Sequence, residues 1–270
     1  MHLMNGIALS PDGIALAYEV HGAGTPALVF VHGWSCDRSY WRNQLGHFAQ
    51  WHRVVALDLA GHGESRAGRP EWTISAFGRD VTAVIDHLGL DDVVLIGHSM
   101  GVDVVVETAL ELPRRVRGLV LVDQYASLGQ PRTREQIQAL VAPFLEDFAT
   151  TTRSLVREMF VPSSPADLVE WVVGDMAAAP EVVALSALEE TWSNDGPILN
   201  SLPKVAAPMV AINSDMRPTD IEALEHYGIQ TLIVPGVGHF LMLENADTFN
   251  SMLSEAIARI RDFSPRQGRA

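Results

Sequence analysis

A serine between two glycines carries the strongest chemical signal in the sequence. The segment 97–101, Gly-His-Ser-Met-Gly, follows an apolar run at 93–96 and precedes a helix-like stretch that begins at Met100. In a sharp turn between a strand and a helix, glycines avoid collisions with the neighbouring backbone, and the serine hydroxyl is presented at the helix N-terminus. Backbone N–H groups at that end stabilise developing negative charge. The pattern predicts Ser99 as the nucleophile of an acyl-transfer reaction.

Serine becomes a good nucleophile when a positioned base removes its proton, and histidine suits this role near neutral pH. The chain contains ten histidines. His239 follows the last apolar run, 230–234, through the loop Pro-Gly-Val-Gly, and this late position fits the order serine, acid, histidine that accompanies the serine motif. We therefore predict His239 as the base. Two other histidines, His32 and His98, belong to turn motifs and are expected to support them.

Apolar runs of strand length alternate with helix-length amphipathic segments along most of the chain. This alternation is typical of a mostly parallel α/β sheet, and runs of Val, Ile and Leu are typical of strands buried on both faces. Between 124 and 203 the alternation stops, and prolines repeatedly interrupt helix-like sequence. We expect a helical insertion there, between core segments 1–123 and 204–270. A hairpin is predicted within 7–20, and further strands are predicted at 27–31, 53–57, 93–96, 116–122, 209–212 and 230–234.

Taken together, four segments resemble the α/β-hydrolase fold family. They are His-Gly-Trp at 32–34, Asp-Leu-Ala-Gly-His-Gly-Glu-Ser at 58–65, the serine motif at 97–101, and Gly-His-Phe at 238–240. The resemblance covers nearly all of the chain and implies a serine-nucleophile member of the esterase or lactonase kind. It implies an eight-stranded, mostly parallel sheet with helices on both faces and a helical cap, 124–203, inserted after strand six. Val102 is a departure, since many members carry another glycine there.

The resemblance leaves two candidates for the acid that orients the histidine. In the family the acid usually follows the seventh strand, but matching the segment 211–217 to that turn places Arg217 at the acid position. Asp215 lies two residues earlier. Some members take the acid from the end of the sixth strand, where this chain has Asp123. We favour Asp123 as the third catalytic residue and keep Asp215 as the alternative, because Arg217 departs from the usual pattern.

Two main-chain N–H groups are expected to form the oxyanion hole, one after the nucleophile and one after the third strand. These belong to Met100 and Trp34. The cap implied by the resemblance would exclude water from a pocket, and some of its apolar side chains are expected to line that pocket. The candidates are Leu140, Phe144, Leu145, Phe148, Met159, Phe160, Trp171, Met176 and Trp192.

These residues predict a serine hydrolase that cleaves a small, mainly apolar carboxylic ester or lactone through an acyl-enzyme. Three alternatives use the same fold: a cofactor-independent ring-cleaving dioxygenase, a carbon–carbon bond hydrolase and a slow-turnover ligand receptor. The dioxygenase is considered because the loop 33–37 is similar to that of the ring-cleaving members, which carry a histidine in place of Cys36. Dehalogenase-like and epoxide-hydrolase-like members are disfavoured, since they need an aspartate where Ser99 stands.

Composition limits the partners and the location. The 270 residues are 47% hydrophobic and 19% charged, which is typical of a folded globular chain. Nineteen Lys and Arg against 33 Asp and Glu give a net charge of −14, which repels nucleic acid and anionic membrane surfaces. The single cysteine and the absence of a signal-like N-terminal stretch favour a cytoplasmic protein. We expect a small-molecule substrate, no nucleic-acid or membrane partner, and no metal or organic cofactor; the sequence is compatible with a homo-oligomer.

Overall fold

The computed structural model describes residues 3–69, 71–125 and 131–263, which are built around one eight-stranded sheet. Across the sheet the order is β1-β2-β4-β3-β5-β6-β7-β8. Strand β2 pairs antiparallel with β1 and β4, and all other neighbouring strands are parallel. The predicted mostly parallel α/β sheet is confirmed. The strands are β1 (Leu3–Leu9), β2 (Ala15–His21), β3 (Ala27–Val31), β4 (Val54–Leu57), β5 (Val93–His98), β6 (Val116–Val122), β7 (Met209–Ser214) and β8 (Ile229–Val234).

Helices in two groups pack against this sheet. Helices α2 and α3 contact each other and the strands β1 to β3, β5 and β6, whereas α1 and α11 contact each other and the strands β4 and β6 to β8. Strands β3, β4 and β5 are buried along their whole length, as expected for Val-, Leu- and Ile-rich runs covered on both faces. The helices are α1 (Arg42–Phe48), α2 (Ile74–His87), α3 (Met100–Glu111), α4 (Arg134–Glu146), α5 (Phe148–Arg157), α6 (Ala166–Met176), α7 (Glu181–Asn194), α8 (Pro197–Ser201), α9 (Ile221–His226), α10 (Leu241–Glu244) and α11 (Ala246–Asp262).

In the described part of the segment between β6 and β7, the chain forms five α-helices, α4 to α8. Helix α4 contacts α5 and α7, α5 contacts α6, and α7 contacts α2 and α3 of the core. No single helix in the described ranges is long and apolar enough to cross a membrane, although α6 and α7 pass that test as a pair joined at a 101° bend. The division of the chain at 123 and 203 into a cap and two core segments stays a prediction.

The structure differs from the sequence expectations at element ends. Strand β5 continues two residues further than predicted, because Gly97 and His98 pair with Leu121 and Val122 of β6. The final helix, for which the sequence predicts a start near Asn245 and an end near Arg261, is α11, and the short helix α10 precedes it. The Asn245 side chain accepts a hydrogen bond from the Thr248 amide and caps α11. The residues from Ser264 onward, whose Pro, Arg, Gln and Gly content predicts a frayed tail, lie outside the described residues.

Candidate active site

Ser99 occupies the turn between β5 and α3 in a strained backbone conformation. Its φ and ψ are 51° and −125°, a combination that residues with side chains rarely adopt. The Ser99 amide donates to the Val122 carbonyl of β6 at 2.9 Å, and the Ser99 carbonyl accepts from the Val102 amide at 2.8 Å. A Cβ on Gly97 would lie 2.3 Å from the Gly101 carbonyl oxygen, so the turn excludes a side chain there. Close backbone packing therefore holds Ser99 at the carboxyl end of β5.

Three non-glycine residues of the described chain have a positive φ, and they follow three neighbouring strands. They are Ser35, Ser99 and Asp123, with φ values of 54°, 51° and 50°. Ser35 follows β3, Ser99 follows β5 and Asp123 follows β6, which are adjacent in the sheet. Each such conformation costs about 1–3 kcal/mol and persists only where the surrounding structure enforces it. Backbone strain is thus concentrated at the edge of the sheet that carries the predicted nucleophile.

His239, the predicted base, is in contact with Asp123. Its Nδ1 lies 2.8 Å from Asp123 Oδ2, while Asp123 Oδ1 accepts from the Ser214 amide at 2.6 Å. Burial opposes ionisation of Asp123, but the hydrogen bond and charge of His239, together with the Ser214 amide, lower the pKa of this carboxyl below its ordinary value. An ionised Asp123 in this position can orient the ring and favour a positive charge on it.

Asp215, the alternative acid, has a different partner. Its Oδ1 accepts from the Gly236 amide at 2.8 Å, and its side chain is exposed. No hydrogen bond joins it to His239, both residues being described. The structure therefore brings His239 together with Asp123, whereas Asp215 ties the loop after β7 to the loop after β8.

The loop that carries His239 is held by a carboxylate that the sequence analysis did not identify. Glu244 of α10 accepts from the Gly238 amide at 3.0 Å and from the Phe240 amide at 3.1 Å, so its two oxygens bind the residues on either side of His239. Ser164 donates to the same carboxylate, and the His239 amide donates to the Met159 carbonyl at 2.8 Å. Glu244 was missed because these contacts depend on the short helix α10 returning to the loop.

Two buried histidines, His98 and His32, fix the loops around Ser99. His98 Nε2 donates to the His239 carbonyl oxygen at 2.9 Å. His32 Nδ1 donates to the Gly33 carbonyl at 2.8 Å, and its Nε2 accepts from the Leu59 amide at 3.0 Å. Burial lowers the pKa of both rings, that of His98 to about 3, so both are neutral. These contacts are the loop-supporting kind expected from their turn motifs.

The predicted nucleophile and base line the same cavity. No hydrogen bond joins the Ser99 hydroxyl to the His239 ring, although both residues lie in the described part of the chain. Rotation about the serine Cα–Cβ bond moves the hydroxyl, and hydrogen bonds of this kind commonly tighten only when substrate is bound. The arrangement therefore supplies a carboxylate and an imidazole in contact, with a serine beside them.

The two predicted oxyanion donors also lie beside Ser99. Within the described residues, neither the Trp34 amide nor the Met100 amide donates a hydrogen bond to another protein group. A Cβ on Gly33 would lie 3.2 Å from the Ser99 Cβ, which shows how closely the loop after β3 approaches the nucleophile. The Trp34 side chain is buried, and its Nε1 donates to the Ala184 carbonyl of α7 at 2.7 Å. Its backbone N–H is thus fixed in position and free to donate to a ligand oxygen.

The cavity around these groups has a volume of about 630 Å³ and two unlike walls. The wall from α5 to α8 and the loops between them is largely apolar, and the wall after β6 and β7 is polar. Three of the nine apolar cap residues predicted as lining candidates, Met159, Met176 and Trp192, line the cavity. Phe144 and Phe148 instead pack edge-on against Trp34, with ring centroids 6.0 and 6.3 Å away. The apolar wall comprises Leu155, Met159, Met176, Leu188, Trp192, Ile198 and Leu199, with Thr191 and Asp195 beside them in the chain. The polar wall comprises Asp123, Gln124, Tyr125, Ser214 and Arg217, together with the apolar Met216 and Pro218.

A second buried carboxylate, Asp103, joins α3 to the elements around the cavity. Tyr125 donates its hydroxyl to Asp103 Oδ1 at 2.6 Å, and Asn194 at the end of α7 donates to Oδ2 at 3.0 Å. Burial raises the pKa of Asp103 to about 6. No local sequence pattern marks this residue, since an aspartate in the first turn of a helix is also favoured on a solvent-exposed face by the helix dipole.

In the described ranges no group of three or more His, Cys, Asp and Glu side chains is arranged to hold a metal ion.

Comparison with known proteins places the chain in a known family. The chain is 26% identical to 3-oxoadipate enol-lactonase 2 of Acinetobacter baylyi over 262 residues. That alignment covers 93% of this chain and 96% of the lactonase. It is 38% identical to the putative carbamate hydrolase RutD of Azorhizobium caulinodans over a shorter alignment of 111 residues. This alignment covers 41% of this chain and 42% of that protein.

The fold is shared with solved enzymes of low sequence identity. A thermophilic esterase from Thermogutta terrifontis superposes with a TM-score of 0.82 at 22% identity, covering 95% of this chain and 99% of that one. At this identity the likeness shows the fold alone. The model of the alpha/beta hydrolase family matches residues 28–252, a span that includes Ser99, Asp123 and His239. The chain therefore belongs to the alpha/beta hydrolase family.

Proposed function

We propose that this protein hydrolyses a small carboxylic ester or lactone through an acyl-enzyme formed on Ser99. The observation that carries the proposal is the 2.8 Å contact between His239 Nδ1 and Asp123 Oδ2 beside a strained serine in one cavity. A carboxylate bound to Nδ1 keeps the proton on that nitrogen and leaves Nε2 as the basic one. Nε2 is then available to take a proton from the serine hydroxyl.

The reaction follows from these positions. Ser99 Oγ attacks the ester carbonyl as His239 takes its proton, and the resulting oxyanion accepts hydrogen bonds from the Trp34 and Met100 amides. Collapse of the tetrahedral intermediate breaks the bond to the alcohol, to which His239 returns the proton. Water then attacks the acyl-enzyme with the same base, releasing the acid and restoring Ser99.

Relatives support the ester or lactone as the bond that is cleaved. The relative with alignment over nearly its whole length is named as an enol-lactonase, and a structural neighbour is described as an esterase. A cavity of about 630 Å³ has the size of sites for small organic molecules. We propose in addition that α4 to α8 act as a cap that excludes water, that Asp123 serves as the acid, and that the protein acts in the cytoplasm without a cofactor.

The test measures turnover of p-nitrophenyl esters of increasing acyl length by the wild type and Ser99→Ala. Ser251→Ala is the matched control, because Ser251 is exposed on α11 and does not line the cavity. We expect multiple turnovers for the wild type and the control and a loss of at least about a thousandfold for Ser99→Ala. Unchanged turnover in Ser99→Ala would refute the proposal. Failure of the folded wild type to cleave any ester would favour the ring-cleaving or ligand-receptor alternative.

A further inference from the structure

The charged side chains that line the cavity differ in whether they have a partner of opposite charge or a hydrogen-bond partner. Among the residues that the structure describes, four Asp and Arg side chains line the cavity: Asp123, Arg132, Asp195 and Arg217. Asp123 is occupied by His239 and the Ser214 amide, and Arg132 forms an ion pair with Asp195. Arg217 is the exception.

Arg217 has no carboxylate partner. No Asp or Glu oxygen lies within 4.0 Å of its guanidinium in the described residues, and its side chain makes no hydrogen bond there. The residues outside those ranges, 1–2, 70, 126–130 and 264–270, contain no aspartate or glutamate. The Arg217 side chain is exposed and lines the cavity, so its guanidinium is open to a ligand that enters there.

The position of Arg217 relates it to the reacting groups. It follows β7 by three residues, and the amide of Ser214, the last residue of β7, binds Asp123. The neighbours Met216 and Pro218 line the cavity with it. Because the carboxylate that contacts His239 comes from the end of β6, the loop after β7 is not needed to supply it. That loop instead contributes a cation to the lining of the cavity.

We propose that Arg217 binds a carboxylate carried by the substrate, so that the substrate class is an ester or lactone with a second, ionised acid group. A guanidinium matches a carboxylate through two parallel N–H···O bonds, which are stronger than hydrogen bonds between neutral groups. The chain as a whole repels anions through its net charge of −14, so local attraction must come from a cation that lines the cavity. The apolar wall would receive the uncharged part of the same molecule.

The kinetic test compares two esters of equal size, and it rests on the ester hydrolysis proposed above. Monoethyl glutarate carries a carboxylate, and ethyl glutaramate carries a neutral carboxamide in its place. We expect the wild type to prefer the carboxylate in kcat/KM, and Arg217→Gln to lose at least about tenfold on it while keeping its rate on the carboxamide. Arg217→Lys should lose less than Arg217→Gln, because lysine keeps the positive charge but lacks the planar guanidinium that binds both carboxylate oxygens.

Arg114→Gln is the matched control. Arg114 is exposed, precedes β6 at the opposite edge of the sheet, and its loss changes the net charge by the same amount. It should leave both esters unaffected. An equal effect of Arg217→Gln on the two esters, or a wild type that prefers the carboxamide, would overturn the inference while leaving ester hydrolysis intact.

A binding measurement separates this inference from the proposed reaction. Glutarate is titrated into Ser99→Ala, with and without the added change Arg217→Gln, and heat release is recorded. Binding that weakens at least about tenfold on loss of Arg217 supports the carboxylate site even if no ester is hydrolysed. Glutarate that binds equally to both variants, or to neither, contradicts it.

Discussion

Asp103 is predicted to lower the stability of the protein as the pH rises. The carboxyl is buried, and its two hydrogen-bond partners, Tyr125 and Asn194, are neutral. Burial raises its pKa from 3.8 to about 6, so the folded protein holds this proton more tightly than the unfolded chain does. The resulting stabilisation is fully present below the unfolded pKa and is lost as the pH rises to about 6.

The magnitude follows from the difference between the two pKa values. About two pKa units correspond to about 3 kcal/mol in the free energy of unfolding. Measurements are convenient between about pH 5 and about pH 7.5, and about 1 kcal/mol of the stabilisation is lost in this range. The rest is already lost below about pH 5, where the carboxyl ionises in the unfolded chain but stays protonated in the folded protein. Asp103→Asn removes the titration but keeps an acceptor for the Tyr125 hydroxyl, and a flipped Asn194 amide can accept from the new NH2 group.

Urea unfolding at about pH 5 and about pH 7.5 tests this prediction. The free energy of unfolding of Asp103→Asn minus that of the wild type should rise by about 1 kcal/mol from the lower to the higher pH, because only the wild type loses this stabilisation. Asp167→Asn, a change at an exposed residue in the first turn of α6, should show no comparable rise. A difference between Asp103→Asn and wild type that does not vary with pH would refute the reasoning.

Three further predictions concern the site. Asp123→Asn should lower kcat by about a thousandfold or more, because the carboxylate on His239 is lost, while Asp215→Asn stays near wild type; steady-state kinetics that reverse this order would exclude Asp123 as the acid. Glu244→Ala should lower kcat about tenfold with a smaller change in KM, since it releases the amides flanking His239; a change confined to KM would contradict this role. Trp34→Phe removes the hydrogen bond to α7 and should cost about 1–3 kcal/mol in urea unfolding, whereas an unchanged midpoint would show that the contact contributes nothing.

Much of the fold was predictable because local patterns decide it. The runs Ala27–Val31 and Val54–Leu57 are apolar throughout, and a strand buried on both faces requires such a run. The turn at Gly97 was predictable for a steric reason, since its environment admits no Cβ. Element ends were harder to predict: β5 continues through Gly97 and His98, because these residues pair with β6, which lies elsewhere in the sequence.

The sequence by itself determined which residue types could do chemistry and which loops carry them: Ser99 in its glycine turn, His239 after the last strand, and two aspartates within reach of the same edge. Only the tertiary structure decided that His239 contacts Asp123 and not Asp215, because that choice depends on how the ends of β6, β7 and β8 are spaced across the sheet. The same holds for Glu244, Asp103 and Arg217. Asp103 binds Asn194 of α7, Glu244 binds Ser164 between α5 and α6, and Arg217 lines a cavity together with residues of α5 to α8. These positions are distant in the chain, and no local sequence pattern encodes their separation in space.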